Sequence, residues 1–529
     1  MPMLQVAEQS VLMDVEVVAA APKAPVDKTF RSYVQDQPML LPPDLRDWLP
    51  VDHPARMVDD LVEHGLDLGG VYAGYTEVRG APPYDPRLML KILIYGYSHG
   101  VTSSRALERR CHDDIAFRFL TADAAPDFVA ISRFRVRHGA ALKEMFVQSL
   151  ALCARAGLVS LGRVALDGSK VRASASRHKA MSYDRMVKAE AELAAEVDEL
   201  VAQAEAIDAN EDAAYGDRRG DELPAELARR TGRLAKIRAA RAALEAEHAA
   251  KARAKAEAKA RVEAEAEARG EALPAAPENT APVDTAPVDT APVDLEPVEV
   301  ELVETESVEA EIAAAGQAAA EAATVPERAQ RSFTDPDARI MKTSDSSFHY
   351  CYNDQAVVDE GCQVILAAEL TQCAADAGAL PPMLDTFSET LAAAGIDTLP
   401  ATLLADAGYF SEDNVAATLQ AGIDPVFATG RLRHGQAIPP APRGRIPAAA
   451  TPKQRMARKA RTKKGKADYA RRKAIVEPVF GQIQTCQDGG RLRLRGKANA
   501  DIEWHLHLFC HNIRKLFGSG QLSAVLSPG

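Results

Sequence analysis

The chain has 529 residues, of which 47% are apolar and only 5% aromatic, and its formal net charge is −12. That length is too great for one ordinary core, so two or three domains are expected, and the alanine-rich, aromatic-poor composition favours helix. No apolar run approaches the roughly 20 residues of a bilayer span. Seven scattered cysteines without a Cys-x-x-Cys pair argue against a disulfide framework and a cysteine zinc site, and fit a reducing cytoplasm.

The acidic total hides two blocks. Residues 271–327 hold fourteen acids and no Lys or Arg, whereas residues 453–473 hold eleven Lys or Arg against one acid, Asp468. A nucleic-acid partner is therefore compatible with the negative mean charge.

Residues 1–28 read as a loose tail, because acids interrupt their apolar patch and no basic region precedes it, unlike a signal peptide. Residues 29–158 read as an all-α domain. Pro86 opens a helix carrying Leu88, Met89, Ile92, Leu93 and Tyr97, Gly100 ends it, and Ser103 or Ser104 caps the next, through Leu107 and Cys111. A third helical pattern begins near Ile131, with Arg133, Arg135, Arg137 and His138 in its first turns. Two helices joined by a tight glycine-containing turn suggest a helix-turn-helix-like unit whose arginines meet phosphates. A small bundle with solvated arginines is the competing reading.

The run Val164-Ala165-Leu166-Asp167-Gly168-Ser169-Lys170 reads as a buried central strand that ends on a carboxylate and turns at the glycine. Taken alone, Asp167 reads as an ordinary strand-end cap. The segment Leu403-Leu404-Ala405-Asp406-Ala407-Gly408 repeats the pattern far away, and a third acid, Glu477, lies in an amphipathic stretch behind the basic block.

Residues 185–330 read as an insertion. Leu193, Val197, Leu200 and Val201, then Leu234, Ile237, Ala240 and Leu244, recur at helical spacing on either side of a break at 215–220, which suggests a coiled hairpin. Residues 250–267 continue as alanine and charge with no seam to bury. The threefold Thr-Ala-Pro-Val-Asp repeat at 280–294 is a spacer, and disorder is expected to continue to about Gln330. Beyond it, two strands form a hairpin around Asp359-Glu360-Gly361. A helix, the Asp406 strand, a helix, a short strand and the helical pattern around Glu477 follow.

This order, with acids on the first strand, the fourth strand and a late helix, resembles the catalytic core of DDE transposases of bacterial insertion sequences, which has a ribonuclease-H-like fold. The motifs carrying the likeness are Leu166–Lys170, Ala405–Phe410 and Val476-Glu477-Pro478-Val479-Phe480-Gly481, with Thr334–Arg339 and Tyr352–Val357. The resemblance implies a mixed sheet flanked by helices over 159–184 and 331–517, split by the insertion and preceded by the helical DNA-binding domain, with 518–529 as a tail. It implies that Asp167, Asp406 and Glu477 are catalytic and bind two divalent cations, Mg²⁺ or Mn²⁺. Hard oxygen ligands suit such ions, and three clustered carboxylates repel one another until a cation arrives.

The expected activity is cleavage at element ends and strand transfer into target DNA. The expected partners are DNA and further copies of the chain in a dimer or larger synaptic complex, in the cytoplasm at the nucleoid and with no membrane. Lys170, Tyr469, Arg471, Arg472 and Lys473 join Arg133 and Arg135 as candidate DNA contacts. In such enzymes a Tyr, an Arg and a Lys surround the Glu at fixed helical intervals. Here Tyr469 and Arg472 each lie one residue farther away, Lys473 falls where the Arg is expected, and Gln484 stands where the Lys would be. An inactive or domesticated DNA-binding relative, or a coiled-coil scaffold with ordinary strand-end acids, are the rival readings. His505, His507, Cys510 and His511 read as a packed helix ahead of a metal site.

Overall fold

The computed structural model describes residues 44–75, 82–176, 179–215, 225–268, 305–430 and 442–526. The Thr-Ala-Pro-Val-Asp repeat and the break at 216–220 lie outside the described residues. The N-terminal third is helical: α1 (Pro54–Asp60), α2 (Gly69–Ala73), α3 (Pro86–Ser98), α4 (Ser104–Asp113), α5 (Ile115–Leu120), α6 (Phe128–Arg137) and α7 (Gly139–Arg155). Pro86 does open α3, with the Asp85 carboxylate accepting the N–H of Arg87 at 2.8 Å. Ser103 holds the N-cap position of α4 without a side-chain hydrogen bond.

Next come β1 (Arg163–Arg172), β2 (Ala180–Ser182), α8 (Tyr183–Tyr215), α9 (Ala225–Ala268), α10 (Thr305–Glu321), β3 (Gln330–Ser332), β4 (Arg339–Lys342), β5 (Phe348–Asp359) and β6 (Ile365–Thr371). The chain continues through α11 (Leu380–Ala393), β7 (Thr402–Ala405), α12 (Glu412–Gln420), β8 (Asp424–Phe427), α13 (Pro452–Arg461), α14 (Lys463–Cys486), α15 (Lys497–Ser519) and α16 (Leu522–Leu526).

The main sheet runs β6-β5-β1-β7-β8 in space, with β4 pairing the early part of β5. β5 is antiparallel to β1 and β6, whereas β1, β7 and β8 are parallel. Both faces are covered by helices, so β1 and β7 present the unbroken buried runs Val164–Leu166 and Leu403–Ala405. One expectation fails here. β1 does not turn at Gly168 but continues to Arg172, with Gly168 opposite Gln355 and Lys170 opposite Asn353. A Cβ on Gly168 would collide with Gln355 Nε2 and lie 3.0 Å from Asn353 Oδ1, so the glycine serves close cross-strand packing and not a bend.

The segment between β1 and β4 begins and ends in the two-stranded β2–β3 ribbon. α8 and α9 pack through Met186, Leu193, Leu234, Ile237, Ala240 and Leu244, with Val197 against them, whereas Val201 of the repeat read in the sequence is exposed. Glu190 receives Arg238 at 3.1 Å and Arg241 at 2.8 Å across the pair. Glu247 ties the hairpin to the sheet through Arg339 at 2.7 Å. The expectation of disorder up to Gln330 is corrected by α10. Its Gly316 lies so close to Glu257 that a Cβ there would sit 2.5 Å from Glu257 Cγ, so the alanine-and-charge half of α9 does have a neighbour. Small side chains let two helix backbones approach closely, a contact that hydrophobic periodicity does not register.

α15 lies between the helical third and the sheet. Asn512 accepts the N–H of Ile365 at 2.8 Å and donates to its carbonyl at 2.9 Å, closing part of the β6 edge. His507 and His511 are buried in this helix, and burial pushes their pKa values down to about 3 and about 4. Both titrate near 6.5 when unfolded, so the unfolded chain takes up protons that the folded chain refuses, and stability falls as pH drops below that value. Between pH 7 and pH 5 the two together should remove roughly 3–4 kcal/mol, read as a lower urea midpoint. An unchanged midpoint would contradict the neutral, buried assignment.

Candidate active site

Asp167 lies within β1, and Asp406 follows directly after β7, the parallel neighbour of β1. Asp167 is largely buried, with its side chain 21% exposed. Its Oδ1 accepts the N–H of Gly168 at 3.0 Å, and its Oδ2 accepts Nη1 of Arg472 at 2.6 Å. Burial raises the Asp167 pKa. Arg472 and the Gly168 N–H oppose that shift, and the charge of Asp406 adds to it. The Asp406 carboxylate accepts the N–H of Gly408 at 2.7 Å, so an Asx turn fixes it at the strand end.

α14 supplies the third acid. Asp468 lies 3.4 Å from Arg163, Arg472 meets Asp167, and Gln484 donates to Ser169 at 3.3 Å, so the helix runs alongside β1 in the same direction. Glu477 lies on this same helix, seven residues before Gln484. Its side chain is 54% exposed and 4.0 Å from Lys473.

Pro478 neither starts nor ends α14. A proline withholds the N–H that the Ala474 carbonyl would otherwise accept. Gln363 Nε2 donates to that carbonyl at 3.0 Å instead, so the helix continues through the acid.

Arg472 is 9% exposed, inside the site and not on a DNA-facing surface. Burial works against its charge, but Asp167, with Tyr469 and Asp406 adding to it, outweighs burial and its pKa is raised. Tyr469 is half-buried, its ring 6.0 Å from the Arg472 guanidinium. Lys170 is held at 3.2 Å by Asp376 on the opposite face of the sheet from Asp167, because side chains alternate along a strand. Arg471 and Lys473 are exposed, with Arg471 3.8 Å from Glu360 and Lys473 4.0 Å from Glu477.

In the helical third, Arg133 is exposed but Arg135 is not available to DNA. Arg135 is 3% exposed and donates to Tyr97 Oη at 2.6 Å, the Thr102 carbonyl at 3.1 Å and Ser104 Oγ at 2.5 Å. Tyr97 in turn donates to Glu503 of α15 at 3.2 Å. The arginines lie in the second half of α6 and not its first turns, because Asp127 caps the helix at Phe128. A buried arginine among solvated ones has no distinguishing spacing in the sequence.

Sequence reasoning also missed Asp376 and Asp354. Asp376 Oδ1 accepts from Lys170 at 3.2 Å, Asn353 Nδ2 at 2.8 Å and Gln355 Nε2 at 3.2 Å. Asp354, opposite Ser169, is fully buried, and burial raises its pKa well above the ordinary carboxylate range. The Asn353-Asp354-Gln355 motif was a visible signal, but the face each residue takes depends on register with β1.

Among the described residues, no group of three His, Cys, Asp or Glu is gathered so as to hold a metal ion. His505, His507, Cys510 and His511 are buried in α15. The donor type at Asp167 and Asp406 nevertheless suits a small hard divalent cation. These two carboxylates already face a positive charge, that of Arg472.

Comparison with known families fits this arrangement. Residues 43–137 match the family described as Transposase domain (DUF772), and residues 328–513 match the Transposase DDE domain, together just over half of the chain. The chain is a transposase. It belongs to the DDE type, whose members carry out metal-dependent DNA cleavage and strand transfer. Searches of curated proteins and of solved structures returned no match. Asp406 and Glu477 fall within the second matched segment, and Asp167 falls between the two. No helix among the described residues is long and apolar enough to cross a membrane.

Proposed function

We propose that this transposase works through Asp167, Asp406 and Glu477 on a ribonuclease-H-like core. The antiparallel β6-β5-β1 half and the parallel β1-β7-β8 half, with helices on both faces, support that fold. The observation that carries the site is the coupling of Asp167 and Asp406 at neighbouring parallel strands, balanced by one buried arginine from the helix that bears Glu477. Asp167 and Asp406 would hold divalent cations, Mg²⁺ or Mn²⁺, with Glu477 joining them once Arg472 yields its place. Bound there, such ions supply a nucleophilic oxygen and stabilise the leaving one in an in-line displacement.

The chain's own residues do the rest. Asp167 and Asp406 are fixed by the Gly168 and Gly408 N–H groups, which limits their reorganisation. DNA lies along the exposed edge of α14, with Arg471 and Lys473 on phosphates, and a free 3′ hydroxyl made at the element end then attacks target DNA. Residues 29–158 serve as the DNA-binding domain, with Arg133 at its surface, and residues 185–330 as an insertion dispensable for chemistry. The assembly is a dimer or higher synaptic complex, at the nucleoid.

Phosphate contacts release counterions, so affinity falls steeply with salt. The double variant Arg471→Ala/Lys473→Ala should weaken binding to all duplexes alike and flatten the log–log salt slope by about one per lost contact. A full wild-type slope in that variant would move the DNA path elsewhere. The reading as a whole is tested by metal-dependent nicking of a plasmid carrying the gene with its flanking DNA. Persistent absence of cleavage with wild-type protein that still binds DNA would favour an inactive, DNA-binding relative.

A further inference from the structure

Four side chains from three separate segments meet behind Asp167, on the face of the sheet opposite α14. Lys170, Asn353 and Gln355 all donate to one oxygen of Asp376, Oδ1. Gln355 is fully buried, and its amide occupies the space left by the missing Cβ of Gly168. The other end of that amide, Oε1, accepts the hydroxyl of Tyr409, also fully buried. Tyr409 is three residues past Asp406, with only Ala407 and Gly408 between them.

The carboxylates of Asp376 and Asp406 flank Gly408. A Cβ built there would sit 2.9 Å from Asp406 Oδ1 and 3.4 Å from Asp376 Oδ2. The turn carrying Asp406 is therefore held twice: locally by the Gly408 N–H on Asp406, and from behind by Tyr409 through Gln355 to Asp376. A buried amide cannot be left half-satisfied without penalty, so its orientation, and with it the position of the Tyr409 hydroxyl, is set by the acceptor at Asp376.

We infer that Asp376 is a positioning residue for the metal-binding acid Asp406, acting through Gln355 and Tyr409, while its charge holds the Lys170 ammonium against β1. The inference rests on the reading of Asp406 as a metal ligand. Asp376 touches neither metal nor DNA in this scheme. Partners that orient ligands typically change metal affinity 10–100-fold when removed.

The test is Mn²⁺ binding to the full chain, followed by loss of the free-ion electron paramagnetic resonance signal, with melting temperature recorded on the same samples. Asp376→Ala, which removes the oxygen that all three donors share, should bind Mn²⁺ about 10-fold more weakly than wild type while still folding cooperatively. Tyr409→Phe, which removes one hydroxyl and keeps the ring, should shift the affinity in the same direction. It decides the question alone if the Asp376 variant does not fold. A purely structural role would lower the melting temperature and leave the affinity of folded protein unchanged, and that result overturns the proposal. Wild-type protein that binds no Mn²⁺ overturns the metal-site reading and the proposal with it. Wild-type binding with both variants unaltered overturns the proposal alone.

Discussion

Asp167→Asn should lower metal-dependent DNA cleavage by on the order of 10³-fold, equivalent to several kcal/mol of lost charge stabilisation in the transition state. The substitution preserves shape, but its one oxygen keeps only one of the two donors that now contact the carboxylate, the Gly168 N–H on Oδ1 or Arg472 on Oδ2, and sets an amide NH2 against the other. What it removes is the negative charge. The same change should relieve the unfavourable coupling between Asp167 and Asp406 while weakening the bridge to Arg472, so fold stability should move little compared with activity. Nicking of plasmid carrying the gene and its flanks, alongside circular dichroism melts, separates the two effects. Near wild-type cleavage by a folded Asp167→Asn protein would remove this residue from the chemistry.

Arg135→Met should be among the most destabilising single changes outside the core of the sheet, about 3–5 kcal/mol, because it strands a buried acid. Burial raises the pKa of Glu503, and Arg135 is the largest influence opposing that rise. Glu503 also accepts the backbone N–H groups of Arg493 and Leu494, each at 2.7 Å, so losing its charge balance disturbs the joint between the helical third and α15. Adding Glu503→Gln to Arg135→Met should recover a substantial part of the loss, since no buried charge then lacks a partner. Chemical denaturation of the two single variants and the double variant checks this. A stable Arg135→Met protein that had lost only DNA affinity would restore the residue to the DNA-contacting set.

The parts of the fold legible in the sequence were those whose pattern is local. The apolar runs before Asp167 and Asp406 announce central strands because helices cover both faces of the sheet. The leucines of α8 and α9 repeat because they face one another. Pro86 marks a helix start through its effect on the next few residues.

What stayed hidden depends on partners far along the chain. Gly168 reads as a turn until Gln355 is seen to lie where its Cβ would be. Beside Glu477, Pro478 reads as a helix start or a kink until Gln363 is found on the carbonyl that it leaves open and the helix is seen to run through it. Arg135 reads like its solvated neighbours until Tyr97, Thr102 and Ser104 are seen to take its guanidinium. α10 pairs with α9 through small residues that carry no hydrophobic period. The acids themselves are visible as motifs, but in the sequence the buried Arg472 reads as a DNA contact, because a basic block gives no sign of which member turns inward.

The central claim, that Asp167, Asp406 and Glu477 serve one divalent-cation site, is tested most directly by anomalous diffraction from crystals of the full chain grown with Mn²⁺. The account predicts an anomalous peak within coordination distance of Asp167 and Asp406, Glu477 turned toward it, and the Arg472 guanidinium moved off Asp167. A peak elsewhere, or none, with Arg472 still on Asp167 at saturating Mn²⁺, would contradict it.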